Sequence, residues 1–299
     1  MTDLADLFPG FQSHWVDTSI GRIFARSGGQ GTPVVLLHGF PESHVMWHRV
    51  APALAENHFV VAMDLRGYGW SSAPRSEGGA FYTKRAMYED VIAVMESLGH
   101  VHFHVVGHDR GARVAYRLAL DHPGRVDRLA LLDILPTAEV WKNIRSGAAP
   151  GAHWEFLSQP APQPEQTIAS DPDAYFEKLL STWTQQQSLR AFDARAVAMY
   201  RAAWRDPSRI HAMCEDYRAG ATSEVEADAA DAAAHKTISS PTLVLNGDFY
   251  LTRGGVETPL EVWRRTFAPD ARGGMIDSGH FLAEENAEDT IAILKAFFK

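Results

Sequence analysis

Sulfur chemistry is nearly absent from this chain, which has one cysteine in 299 residues. A single thiol excludes an intrachain disulfide and any cysteine-built metal centre. Cys214 stands in Ala212-Met213-Cys214-Glu215-Asp216, where acidic neighbours raise a thiol pKa rather than lower it, so it reads as a packed helix residue. Positive charge is also scarce: 28 Lys and Arg against 37 Asp and Glu give a net charge of −9. Such a chain repels phosphate backbones and anionic lipid, and neither is expected as a partner. No apolar run approaches the roughly 20 residues that span a bilayer. The opening Met1-Thr2-Asp3-Leu4-Ala5-Asp6 places acids where a secretory signal needs basic residues and an apolar stretch. The expected location is cytoplasmic.

What is present is a core-forming composition with a change of pattern in the middle. The first third alternates short apolar runs with helical periodicity. Strands are predicted at 33–38, 59–64, 103–106 and 128–133. Helices are predicted around 47–55, 83–98 and 110–120, the second from Met87, Val91, Val94, Met95 and Leu98 at three- and four-residue spacings. Continuous apolar strands alternating with helices imply a parallel sheet covered on both faces. After Pro136 the strand signal stops. Residues 138–236 read as helical segments with the proline-rich loop 159–164, and they carry Trp154, Trp183, Tyr200, Trp204 and Tyr217. Strands return at 242–247 and near 274–277, and a last helix covers 287–298. The expected organisation is a core of 1–137 and 237–299 with a helical cap of 138–236 over the carboxyl edge of the sheet, where open α/β sheets bind ligands.

The chemistry concentrates in Val105-Val106-Gly107-His108-Asp109-Arg110-Gly111-Ala112. A strand running through Gly-x-nucleophile-x-Gly into a helix is the setting of a nucleophile elbow, which presents one side chain above the sheet. Here that residue is Asp109, where a serine hydrolase has Ser. A carboxylate is already ionised at neutral pH and needs no base to attack saturated carbon. Arg110 and Arg113 are three apart at the start of the same helix and share a face. Two guanidinium groups there can clamp a carboxylate and offset its repulsion by Asp109. His280, in Asp277-Ser278-Gly279-His280-Phe281, stands where the nucleophile–acid–histidine order puts the base. Two aspartates are open as its acid: Asp248, near Tyr250 after the 242–247 strand, and Asp133, at the end of the 128–133 strand. The alternating His100, His102 and His104 are expected on one face of a strand, without the acid or cysteine that a metal site needs.

On His38-Gly39-Phe40-Pro41, Asp64-Leu65-Arg66-Gly67-Tyr68-Gly69, Gly107 to Gly111 and Ser278-Gly279-His280-Phe281, nearly the whole chain resembles the α/β-hydrolase fold. Within it the chain resembles the dehalogenases and epoxide hydrolases. Gly-His-Asp-Arg-Gly-Ala-Arg is similar to the fluoroacetate dehalogenases; the related enzymes usually carry Trp where this chain has Arg110. The resemblance implies a mostly parallel sheet flanked by helices with a helical cap inserted after a core strand. It implies that Asp109 is the nucleophile, His280 the base and Asp133 rather than Asp248 the acid. It also implies carboxylate binding by Arg110 and Arg113 and halide binding by His153, Trp154 and Tyr217; Trp183 is a further candidate for lining the entrance. The backbone N–H groups of Phe40 and Arg110 are expected to form the oxyanion hole. The implied activity is hydrolysis of a short anionic 2-haloacid, fluoroacetate above all, without cofactor or metal, and the implied assembly is a homodimer. An epoxide hydrolase using the same Asp109, and a non-catalytic small-molecule receptor on the same fold, are the other readings.

Overall fold

Residues 4–149, 151–251 and 257–299 are described by a computed structural model of the chain. Met1, Thr2 and Asp3 of the acidic opening lie outside the described residues. Eight strands form one sheet: β1 (Gln12–Thr18), β2 (Gly21–Gly28), β3 (Thr32–Leu37), β4 (His58–Met63), β5 (Phe103–His108), β6 (Val126–Leu132), β7 (Thr242–Gly247) and β8 (Arg272–Ile276). Their spatial order is β1-β2-β4-β3-β5-β6-β7-β8. β1 and β2 pair antiparallel, as do β2 and β4, while every pair from β4 through β8 is parallel. The central strands are apolar because helices cover both faces; Val34, Val35, Leu36 and Leu37 of β3 are fully buried.

The N-terminal hairpin is an addition to the sequence-based expectation. Every second residue of β1 is half-buried at most and Trp15 is 50% exposed, so its apolar pattern is too weak to read as a strand. Register decides where the chemistry goes. Leu37 pairs with Gly107, His108 with Leu132, and Gly247 with Ile276. The carboxyl ends of β3, β5, β6, β7 and β8 therefore finish together along one edge of the sheet.

Between β6 and β7 the described residues are helical or irregular, from the helix Thr137–Arg145 to the helix Ser223–Ala233. Two of these helices start in the same local way. Asp171 and Asp206 cap them by accepting backbone N–H groups, and Pro172 and Pro207 follow at the first helical position, where the missing N–H of proline costs nothing. The helix Pro259–Thr266 has a full capping box, with Thr258 and Glu261 each bonded to the other's backbone. Its Thr-Pro-x-Glu signature was available in the sequence and marks the start directly. No helix among the described residues is long and apolar enough to cross a membrane.

The histidine run corrects one expectation. β5 begins at Phe103, so His100 and His102 precede the strand and only His104 lies on it. His104 stacks on Phe298 at 4.9 Å, and His100 packs against Phe59. Among the described residues no group of three or more His, Cys, Asp or Glu side chains is arranged to hold a metal ion. Cys214 is buried in the helix Pro207–Ala221, and burial pushes its thiol pKa up.

Candidate active site

The elbow is built by close approach. A Cβ on Gly107 would lie 2.5 Å from the Ala112 Cα, and one on Gly111 would lie 2.4 Å from the His38 carbonyl oxygen. Only glycine lets the helix Asp109–Asp121 start this tightly against β5 and β3. Asp109 takes φ 43°, a left-handed conformation that a side chain normally disfavours by about 1–2 kcal/mol. Strain of this kind is typical where a functional side chain is held in place.

The Phe40 N–H donates to Asp109 Oδ1 at 3.0 Å. The Arg110 amide is the next N–H along the same helix and lies in the first turn, where no intrahelical acceptor exists. On the other side of Asp109, His280 Nε2 is 4.0 Å from Oδ2. His280 Nδ1 lies 2.5 Å from Asp133 Oδ2. A carboxylate only accepts, so Nδ1 carries the proton and Nε2 presents its lone pair toward Asp109. Asp133 is itself fixed by Gly247 N–H on Oδ1 at 3.0 Å, in a left-handed backbone with φ 52°. Asp248 takes a different role: its Oδ1 accepts from Gln185 Nε2 at 3.1 Å, and Gln185 Nε2 also donates to Asp277. Burial pushes the Asp109 carboxyl up, but His280 when protonated, Arg113 and Arg110 outweigh it and hold it at about 2. It is ionised at any physiological pH.

The two arginines are anchored differently. Arg113 Nη1 donates to the Leu135 carbonyl and to Thr137 Oγ1, both at 3.0 Å. These are neutral acceptors, so its charge is uncompensated by them, and burial and the Arg110 charge lower its pKa. Arg110 is fully buried and is gripped along its Nε–Nη2 edge by Asp216, a residue not anticipated from the sequence. Its Nη1 is left without a partner.

The three rings expected to hold a halide come together. Trp154 and Tyr217 have centroids 5.2 Å apart, and His153 lies 6.0 Å from Tyr217. The Arg110 guanidinium sits 4.4 Å from the Tyr217 centroid, and that of Arg113 4.7 Å from the Trp154 centroid. Burial pushes the His153 imidazole down to about 3, so it is neutral and keeps one N–H. Burial and the Asp109 charge push the Tyr217 phenol up, so it keeps its O–H. A cavity of about 550 Å³ reaches Asp109, Arg113, His153, Trp154, Trp183 and His280. Arg110 and Tyr217 adjoin its wall at Trp154, whose ring lies 5.1 Å from the Arg110 guanidinium and 5.2 Å from the Tyr217 ring.

Three further contacts were not legible beforehand. Tyr250 packs its ring 4.5 Å from that of His280. His108 Nε2 donates to the His280 carbonyl at 2.8 Å, and His108 Nδ1 lies 3.3 Å from Glu42 Oε2 in full burial. Glu42, His108 and Asp216 reach their partners across long sequence separations, and no local spacing signals such contacts.

The family description of the alpha/beta hydrolase fold matches residues 32–287. The chain is 42% identical to a fluoroacetate dehalogenase of Burkholderia sp, over 97% of this chain and 95% of that protein. It is 31% identical to a soluble epoxide hydrolase of Corynebacterium sp. (strain C12), over 97% of this chain and 94% of that protein. Among solved structures, a Nostoc sp PCC 7120 protein described as an alpha/beta hydrolase superposes with a TM-score of 0.90 at 45% identity, covering 97% of this chain and 98% of the other.

Proposed function

The chain belongs to the α/β-hydrolase family, and from that premise we propose that it hydrolyses the carbon–halogen bond of short 2-haloacids, with fluoroacetate as the defining substrate. The observation that carries this reading is the pairing of a carboxylate nucleophile with two buried guanidinium groups, Arg110 and Arg113, at the start of the same helix. A substrate that must sit beside an anionic Asp109 and yet needs two cations is itself an anion. The similarity to a fluoroacetate dehalogenase supports it.

The chemistry follows in two steps. Asp109 Oδ2, the oxygen not engaged by Phe40, attacks the CH₂ carbon; the carbon–fluorine bond breaks, fluoride leaves, and an ester to Asp109 forms. His280 Nε2 then takes a proton from water as its oxygen attacks the ester carbonyl. The Phe40 and Arg110 backbone N–H groups stabilise the oxyanion. Collapse gives glycolate and restores the Asp109 carboxylate. One fluoroacetate and one water yield glycolate, fluoride and a proton. Arg113 and Arg110 hold the carboxylate, and Asp133 keeps the His280 tautomer. No step needs a cofactor or metal, and the same resemblance that implies this activity implies a homodimer.

Epoxide hydrolysis by the same Asp109 is the second reading, favoured by the 31% identical epoxide hydrolase and by the Tyr217 and Tyr250 phenols beside the site. A neutral epoxide makes no use of the two buried cations. Fluoride release from fluoroacetate, followed with a fluoride electrode alongside diol formation from styrene oxide, separates the two. Fluoride and glycolate in equal amounts are expected. Diol without fluoride would reverse the assignment.

The halide donors give a sharper expectation. Fluoride has the most concentrated charge and the greatest demand for hydrogen bonds, whereas bromide leaves with little help. Tyr217→Phe and Trp154→Phe remove a donor and keep most of the ring packing. Each is expected to slow alkylation by fluoroacetate more than by bromoacetate, with an excess of about 1–3 kcal/mol. Single-turnover kinetics isolates that step. Equal losses on both substrates would leave these rings with packing alone.

A further inference from the structure

We infer that Asp216 is a positioning residue for the carboxylate site, acting through Arg110, with Lys84 and Tyr68 completing its anchorage. This rests on the haloacid reading above and goes beyond it.

Asp216 lies in the helix Pro207–Ala221 and is fully buried. Its carboxylate accepts from Arg110 Nε at 3.0 Å on Oδ2 and from Arg110 Nη2 at 2.5 Å on Oδ1. The Asp216 carbonyl accepts a further bond from Nη2 at 2.7 Å. Tyr68 Oη donates to Oδ2 at 2.8 Å, and the Lys84 ammonium donates to Oδ1. Lys84, Tyr68 and Arg110 are as buried as Asp216 itself. Four side-chain donor contacts on one carboxylate fix its two oxygens in direction as well as in place.

The physical need for this arrangement comes from the neighbour of Arg110. The residue before it is Asp109, an ionised carboxylate. A long, flexible guanidinium next to a buried anion pairs with it unless something stronger holds it. Pairing with Asp109 would tie up the nucleophile and spend the cation meant for substrate. Asp216 supplies the competing anion, and it does so on the Nε–Nη2 edge. The opposite nitrogen, Nη1, is buried and has no hydrogen-bond partner. Nη1 is therefore the one nitrogen of the Arg110 fork with hydrogen-bonding capacity left, opposite the edge that Asp216 holds. Arg113 reaches the same end by another route, since Leu135 O and Thr137 Oγ1 orient it without neutralising it.

Arg110 and Lys84 share the Asp216 carboxylate, and the Arg110 guanidinium lies 5.1 Å from the Trp154 ring. Glu224 accepts from the Lys84 backbone N–H at 2.9 Å, and its carboxylate also favours the Lys84 ammonium. Burial lowers the Lys84 ammonium to about 8, and the Arg110 charge adds to that; Asp216 keeps it cationic at neutral pH.

The test is glycolate binding by calorimetry to the full-length protein, in a double-mutant cycle of Asp216→Asn with Arg110→Met. Asp216→Asn is expected to weaken glycolate at least tenfold. In the Arg110→Met background the same substitution is expected to change affinity less than twofold, because nothing remains for it to position. A residue that only supports the fold would cost the same in both backgrounds. Asp216→Asn leaves two buried cations unpaired; if it does not fold, Lys84→Met is compared with Lys84→Met/Asp216→Asn, which removes one of them, and the same tenfold loss is expected. Glycolate affinity that stays within twofold on Asp216→Asn, that falls equally with and without Arg110, or that ignores Arg110→Met overturns the inference. A wild-type protein that binds no glycolate overturns the haloacid reading on which it rests, a result distinct from equal binding by wild type and variant.

Discussion

With His280 replaced by alanine, fluoroacetate is expected to alkylate Asp109 and go no further. The two steps ask for different groups. Attack on the CH₂ carbon needs an ionised carboxylate, and His280 when protonated, Arg113 and Arg110 hold Asp109 at about 2, so attack requires no base. Ester hydrolysis needs water to lose a proton, and His280 Nε2 is the lone pair facing Asp109. Removing it costs the general-base contribution, on the order of 10²–10⁴-fold, and the loss falls entirely on the second step. Intact-protein mass spectrometry is therefore expected to show one carboxymethyl group per chain, mapped to Asp109, with fluoride released in a single stoichiometric burst. Asp109→Asn is expected to show neither adduct nor fluoride, because a neutral amide is a poor nucleophile. An unmodified His280→Ala protein beside unreacted fluoroacetate would remove His280 from the hydrolytic step and Asp109 from the alkylation.

Arg113→Leu is expected to lower kcat/KM for haloacetates by roughly 2–4 kcal/mol, the loss of a charge-assisted bond in a desolvated site. Arg113 is 3% exposed and reaches the cavity beside Asp109. Its Nη1 is already committed to Leu135 and Thr137, so on the haloacid proposal the remaining edge of the fork is the part left for substrate. Arg113→Lys is expected to recover only part of the loss. An ammonium restores the charge, but one nitrogen cannot hold Leu135 O, Thr137 Oγ1 and a ligand in a single plane. Steady-state kinetics on chloroacetate measures both variants. An unchanged kcat/KM in Arg113→Leu would return this residue to a purely structural role.

The fold was legible where a local pattern forces a local structure. Apolar runs at 33–38, 59–64 and 242–247 can only be strands covered on both sides, and they became β3, β4 and β7. Gly107 and Gly111 around Asp109 announced a turn that no other residue permits, and the spacing of Arg110 and Arg113 placed both at the helix start. A single cysteine in the chain leaves no second thiol for an intrachain disulfide. The sequence by itself thus determined the alternation of the core, the helical insert and the residue at the elbow. These depend on neighbours a few positions apart, and steric limits on the backbone act at that range.

The tertiary structure alone decided the pairings. The residues alone left Asp133 and Asp248 both open and the resemblance favoured Asp133; in the fold, β6 pairs with β7, Asp133 meets His280 Nδ1 and Asp248 accepts from Gln185. The same holds for β1, whose exposed alternation becomes a strand only because β2 lies beside it. Arg110 read as half of a carboxylate clamp, and packing gave one edge of it to Asp216, 106 residues away. Lys84 reaches that carboxylate from 132 residues away, on the same N-terminal side as Arg110. A buried charge is stable only with a partner, but nothing in the chain's local chemistry says which of 37 acids will be brought to it. That choice is made by the packing of the helical insert onto the sheet, because Coulomb attraction in a desolvated interior depends on distance in space, while sequence motifs record only distance along the chain.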